Sequence, residues 1–155
     1  MAVYKGVTHS NLKAINLEAD TATITQLNVT DSVLSTRKRF TIAEVNAGAT
    51  LVAAVSGKSI RMVNCKAIAV GGAAAAVTTV DVLGTQTTSQ KLVAFAQANL
   101  TQSTVLTAGG TGAAVLADGA SFVANDAGTA VTVGKTGSDV TTATHIDVIF
   151  DYVLE

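Results

Sequence analysis

Proline and tryptophan are absent from this 155-residue chain, cysteine occurs once, and aromatic residues make up only 4% of it. A lone Cys65 excludes an internal disulfide, and it has no His, Cys, Asp or Glu neighbours at metal-ligand spacing, so neither a metal nor any other cofactor is expected. With six aromatic residues, most at alternating core positions, few are left to form the platforms of a sugar-binding surface. Charged residues are 14% of the chain and the formal net charge is −1, which argues against nucleic acid or a membrane surface as a partner. The longest apolar run, Ala67 to Val77, is interrupted by Gly71-Gly72 and is too short to span a bilayer. Residues 1–15 carry Lys5, His9 and Lys13 around no apolar core, so no signal peptide is expected and the chain reads as one made in a reducing cytosol.

What is present is small and β-prone. There are 27 Ala, 23 Thr, 21 Val and 13 Gly, and Val and Thr outnumber the helix-forming Leu, Glu, Lys and Arg. The length suits one domain, which at this size buries roughly 70% of the surface of its unfolded chain. Turn signals occur at Asn46-Ala47-Gly48, Ser56-Gly57-Lys58, Gly71-Gly72, Gly84, Gly109-Gly110-Thr111-Gly112, Asp118-Gly119, Asp126-Ala127-Gly128 and Gly134-Lys135-Thr136-Gly137. Their spacing is the rhythm of a sandwich or barrel, and Asp118-Gly119 suits a type I′ hairpin.

Between these turns the chain alternates. Ile146, Val148, Phe150, Tyr152 and Leu154 share one strand face, with His145, Asp147 and Asp151 on the other. Val80 and Val82 oppose Thr79 and Asp81, and Val131 and Val133 flank Thr132. In Ser59–Val70 the apolar phase passes from Ile60 and Met62 to Val63, Cys65 and Ala67, the mark of a β-bulge. Lys91–Leu100 fits a helix by spacing, but its neighbourhood favours a strand.

Residues 10–36 lack glycine and cannot close a core, so they read as an extended arm, 1–36, ahead of a β domain, 37–155, with the junction near Ser35. The expected fold is therefore an all-β antiparallel sandwich or barrel, jelly-roll-like, preceded by that arm. Interface candidates are Leu12, Ile15, Leu17, Ile24, Leu27 and Val29 on the arm, and Arg37, Lys38 and Arg39 at the junction. Up to Lys66 there are 8 basic against 4 acidic residues; beyond it, 2 against 7. That asymmetry fits pairing of the two halves within a chain, neighbours meeting head to tail, or simple drift of half-counts in a chain with few charges.

No catalytic group stands out, and a non-enzyme is expected. Gly134-Lys135-Thr136-Gly137 resembles the end of a phosphate-binding loop, but the glycine such a loop needs falls at Thr129, so it reads as a hairpin turn. Gly109-Gly110-Thr111-Gly112 lacks the acidic residue a dinucleotide site requires. His145 and Asp147 fall on one strand side, yet no serine sits in a nucleophile context.

From Phe40 onward the chain resembles bacteriophage capsid decoration, or cement, proteins and other small virion structural proteins. The residues that carry this are Asn46-Ala47-Gly48-Ala49-Thr50-Leu51-Val52, Gly57-Lys58-Ser59-Ile60-Arg61-Met62-Val63, Ala69-Val70-Gly71-Gly72, Leu116-Ala117-Asp118-Gly119-Ala120-Ser121-Phe122 and Thr142-Ala143-Thr144-His145-Ile146-Asp147-Val148. The resemblance implies a β domain that trimerises on the outer capsid surface of the virion and reinforces contacts between major capsid subunits. Its partners would be the major capsid protein and two further copies of itself. The arm, 10–36, resembles a piece of a phage fibre shaft or a capsid-lacing extension, and a fibre, tail or other appendage protein with an adhesion role is the alternative.

Overall fold

The computed structural model describes residues 32–84, 90–108 and 125–155. Among the described residues eight strands and one helix follow in chain order: β1 (Leu34–Thr41), α1 (Ile42–Ala47), β2 (Ala49–Val52), β3 (Ile60–Val70), β4 (Ala74–Gly84), β5 (Gln90–Ala96), β6 (Val105–Thr107), β7 (Val131–Thr142) and β8 (His145–Leu154). The arm candidates Leu12, Ile15, Leu17, Ile24, Leu27 and Val29 lie outside the described residues, as do Gly109-Gly110-Thr111-Gly112 and Asp118-Gly119.

All strand pairs are antiparallel, and they nest: β1 with β8, β2 with β7, β3 with β6, β4 with β5. This is one long hairpin ribbon with its tip at β4–β5. Rolled up, it also pairs β3 with β8 and β4 with β7, leaving sheet I in the order β1-β8-β3-β6 and sheet II in the order β2-β7-β4-β5. The two sheets form the jelly-roll sandwich anticipated from the turn rhythm.

The core between the sheets is aliphatic with a few rings. Phe40, Phe95, Phe150, Ile60, Ile146, Val80, Val82, Val131 and Val133 are fully buried, and the alternating residues at β4, β7 and β8 face inward as the period-2 pattern requires. In β3 the register against β8 slips between Met62 and Asn64, which places the bulge where the apolar phase changes. Val63 is the exposed extra residue, and burial resumes at Cys65 rather than at Val63. Lys91–Ala96 is strand, and Leu92, Val93, Ala94 and Phe95 are buried in succession, which explains why its spacing imitated a helix.

Two turn readings change. Asn46-Ala47-Gly48 ends a six-residue helix instead of a simple turn: Thr41 and Glu44 make a reciprocal capping box, and Gly48 closes the C-terminus at φ 83°. Gly134-Lys135-Thr136-Gly137 is not a hairpin. It lies inside the 12-residue β7, where Gly137 falls between register shifts on both sides of its partner Val77 and Gly134 pairs with Asp81 in unbroken register. Gly137 has φ 87°, and a Cβ there would sit 2.5 Å from the Thr78 Oγ1, so both backbone and space demand glycine. Ser56-Gly57 and Ala127-Gly128 do turn the chain, and Gly71-Gly72 bends it from sheet I to sheet II.

Candidate functional site

The alternation that buries Phe40, Ile146, Val148, Phe150, Cys65 and Ala67 places a second set of side chains on the outer face of sheet I. Register aligns them in rows: Arg39 with Asp147 and Ile68, Arg37 with Ile149 and Lys66, Ser35 with Asp151 and Asn64. Val105 of β6 lies opposite Ile68.

At the centre is Asp147, 2% exposed. Arg39 grips it with two bonds, Nε to Oδ1 at 2.6 Å and a terminal nitrogen to Oδ2 at 2.9 Å, and Arg37 donates to Oδ2 at 2.8 Å. The Arg39 hydrogen bonds are the largest influence on the carboxyl and, with those of Arg37, hold it at about 2 against the upward pull of burial. The Arg37 and Arg39 side chains remain 64% and 54% exposed, and each guanidinium has more N–H donors than Asp147 takes up. Beside them Ser35 donates to Asp151 Oδ1 at 2.6 Å.

Lys38 leaves this group. Its side chain lies on the opposite side of β1, its ammonium 4.9 Å from the Phe40 ring centroid and donating to the Thr50 carbonyl at 2.6 Å, which ties the rims of the two sheets together. The basic triplet is thus two outward arginines and one bridging lysine. It also sits within a strand, since β1 begins at Leu34, ahead of the expected domain start at Arg37.

Aliphatic residues flank the charges. Ile68, Val70 and Ile149 are half-buried and Val105 is 53% exposed, and none of the four belongs to the core between the sheets. The face is therefore a mosaic of two arginines, Lys66 and branched apolar side chains around Asp147 and Asp151.

The halves of the chain do pair. Arg37 and Arg39 meet Asp147, and Arg61 meets Glu155 through two bonds of 2.7 and 2.9 Å, each joining the basic front to the acidic back. His145 and Asp147 share a strand side as their spacing requires, but the Asp147 oxygens are taken by guanidiniums, and His145 Nδ1 lies 3.1 Å from Thr144 Oγ1.

Sheet II carries a second polar cluster. Thr136, of the glycine-flanked tetrapeptide, donates to Asp81 Oδ2 at 2.6 Å, and Lys91 Nζ stands 3.2 Å from the same oxygen. Asp81 is buried, and its Oδ1 has no partner among the described residues. These contacts fasten β5 and β7 across β4. Sequence reading placed Asp81 on the polar face but had no means of finding its partners, 10 and 55 positions away.

Among the described residues no group of three His, Cys, Asp or Glu side chains is placed to hold a metal ion, and no helix is long and apolar enough to cross a membrane. Cys65 is fully buried in β3, and burial pushes its thiol up to about 12. Alkylating reagents at neutral pH should leave it unmodified in the folded protein and label it fully in denaturant; rapid labelling of the native chain, followed by mass spectrometry, would contradict this placement.

No family model, no curated protein and no solved structure matches this chain.

Proposed function

We propose that this chain is a bacteriophage virion structural protein, a capsid decoration protein that binds the outer capsid surface as a trimer and stabilises contacts between major capsid subunits. The observation that supports it most is the outer face of sheet I, where two half-exposed arginines and a patch of branched aliphatics lie on one four-stranded sheet. Interfaces between proteins combine these elements, with Arg enriched where an acidic surface is met. The face begins at β1, the strand that residues 1–31 precede in the chain. In this reading the nested ribbon supplies the scaffold and its surfaces carry the cement function.

The test is addition of the purified protein to capsids that lack it. Co-sedimentation, copies imaged at three-fold and quasi-three-fold positions, and capsids that resist higher temperature are expected. A chain beginning at Ser32 keeps all of β1 and should retain β-rich circular dichroism and cooperative melting, yet bind such capsids at least about tenfold more weakly, because ordering an arm of this length must be offset by its own contacts. Absence of capsid binding by the full chain would overturn the reading, and location at a tail or a single vertex would replace it with the appendage role.

A further inference from the structure

The outermost strand of a sheet carries backbone groups without a ladder, and proteins blunt such edges with short strands, bulges and charge. Among the described residues the sandwich has four edge strands, β1 and β6 in sheet I and β2 and β5 in sheet II. β6 has 3 residues, and the ladders of β2 and β5 each carry a register shift. β1 is the exception. Its 8 residues pair with β8 in unbroken register, so its free side is long and regular.

Two separate observations fix which backbone groups face that free side. In an antiparallel ladder alternate residues turn N–H and C=O toward the neighbour, and the rest turn them away. Thr41 gives its N–H to Glu44 Oε2 at 2.8 Å, so it belongs to the set that faces away from β8, with Ser35, Arg37 and Arg39. The other edge of β8 agrees. In β3 the carbonyls of Cys65 and Ala69 accept from the N–H groups of Ala108 and Ser103, away from β8. Asn64, Lys66 and Ile68 therefore ladder with Asp151, Ile149 and Asp147. That leaves Ile146, Val148, Phe150 and Tyr152 to hold Phe40, Lys38, Thr36 and Leu34. Ser35, Arg37 and Arg39 thus present their N–H and C=O groups at the rim, and no described residue pairs with them.

Basic side chains ordinarily guard an edge of this kind. Here the guards are drawn back over the sandwich: Arg37 and Arg39 bond Asp147 of β8, and Lys38 bonds the Thr50 carbonyl. The rim is open and its flank is cationic. We propose that the free edge of β1 receives an extended acidic segment of the major capsid subunit, added as a further strand of sheet I. The inference deepens the functional reading and rests on it for the owner of the segment. A strand laid about 4.8 Å beyond β1 has every second side chain on the outer face of sheet I. Two successive ones stand directly across from Arg37 and Arg39, whose guanidiniums have N–H donors beyond those that Asp147 takes up. The segment is therefore one with carboxylates at alternate positions. Backbone bonds supply its affinity, and the carboxylates its selection. The β1 of a second copy would set arginines against arginines, which disfavours it.

The experiment uses the full-length chain and residue-resolved hydrogen exchange. In the free protein the amides of Ser35, Arg37 and Arg39 should exchange at least about tenfold faster than those of Thr36, Lys38 and Phe40. The probe is a short capped peptide in which glutamate alternates with valine. It should slow exchange at Ser35, Arg37 and Arg39, and lose that effect when salt is raised or lysine replaces glutamate. Ser35→Pro removes one outward N–H and leaves the β8 ladder intact, so it should weaken peptide binding by at least about tenfold. Ser35→Ala keeps the N–H and should bind as wild type. Slow exchange of the three amides in the free protein, equal action of the lysine peptide, or unchanged binding by Ser35→Pro would each overturn the inference. Capsid binding without added protection of β1 would overturn it too, and leave the cement reading in place. Protection by the glutamate peptide in a protein that binds no capsid would remove the cement reading and keep β1 as an acceptor of acidic strands.

Discussion

Replacing Phe150 with alanine is expected to lower the stability of the sandwich by about 3–5 kcal/mol, the range of large-to-small substitutions at fully buried rings. Phe150 lies on β8, a central strand of sheet I, opposite Thr36 on one side and Cys65 on the other, with its ring 5.7 Å from that of Tyr152. The cost depends on whether neighbours can move into the space. Here they are hard to move. β8 is fixed by ladders on both edges, and much of the surrounding core consists of Val and Ala, too short to reach across the gap. A chain with so few aromatic residues concentrates much of its core volume in three rings, Phe40, Phe95 and Phe150. Denaturant titration at neutral pH measures the loss, with Phe150→Leu as the milder comparison. A loss below about 1 kcal/mol would mean that the site collapses and the core is more plastic than its geometry implies.

The architecture was legible in the sequence to the extent that it depends on local pattern. Period-2 alternation in β4, β7 and β8 marked the inward residues, and the phase change after Met62 marked the β3 bulge, because one face of each stretch is buried and the pleat leaves no freedom about which. Glycine was the weaker guide. Gly137 serves a strand that bulges, Gly48 serves a helix terminus and Gly134 lies in unbroken ladder, yet all three were read as turns, since glycine alone does not say which conformation it serves. Helix α1 did leave a signal in Thr41-Ile42-Ala43-Glu44, the spacing of a capping box, but six residues give too little periodicity to confirm it. Strand order and the clamp on Asp147 were beyond reach. Arg37 and Arg39 are 110 and 108 positions from their partner, and only the rolled ribbon, which pairs the first strand with the last, brings them together. The split of the basic triplet follows from the same cause: once β1 is a strand, adjacent residues must point to opposite sides.

Asp147→Asn should cost roughly 2 kcal/mol at neutral pH, the free energy that corresponds to a carboxyl held at about 2 instead of 3.8. The sign follows from the direction of the shift. Folding lowers the proton affinity of Asp147, so its contribution is complete above the unfolded value of 3.8, shrinks as pH falls through the interval below it, and is gone once the pH is well under 2. Wild-type stability should therefore drop across that acid window, and the variant, having lost the titrating group, should show a shallower drop from a lower plateau. Glu44 and Glu155 are also held below the ordinary carboxylate range, by hydrogen bonds from Thr41 and Arg61 respectively, and they keep some acid sensitivity in the variant. The loss stays moderate because Arg37 and Arg39, freed from the carboxylate, can turn to water from their half-exposed positions instead of remaining as buried charge. Yet the same release disorders the two guanidiniums on the outer face of sheet I, and with them the donors available to an acidic partner. Stability and capsid binding should then fall together in Asp147→Asn, whereas Phe150→Ala, which leaves the outer face unaltered, should lose stability alone under conditions where it remains folded. Parallel denaturation and capsid co-sedimentation of the two variants measure both quantities. Undiminished capsid binding by Asp147→Asn would show that the clamp serves the fold and not the face.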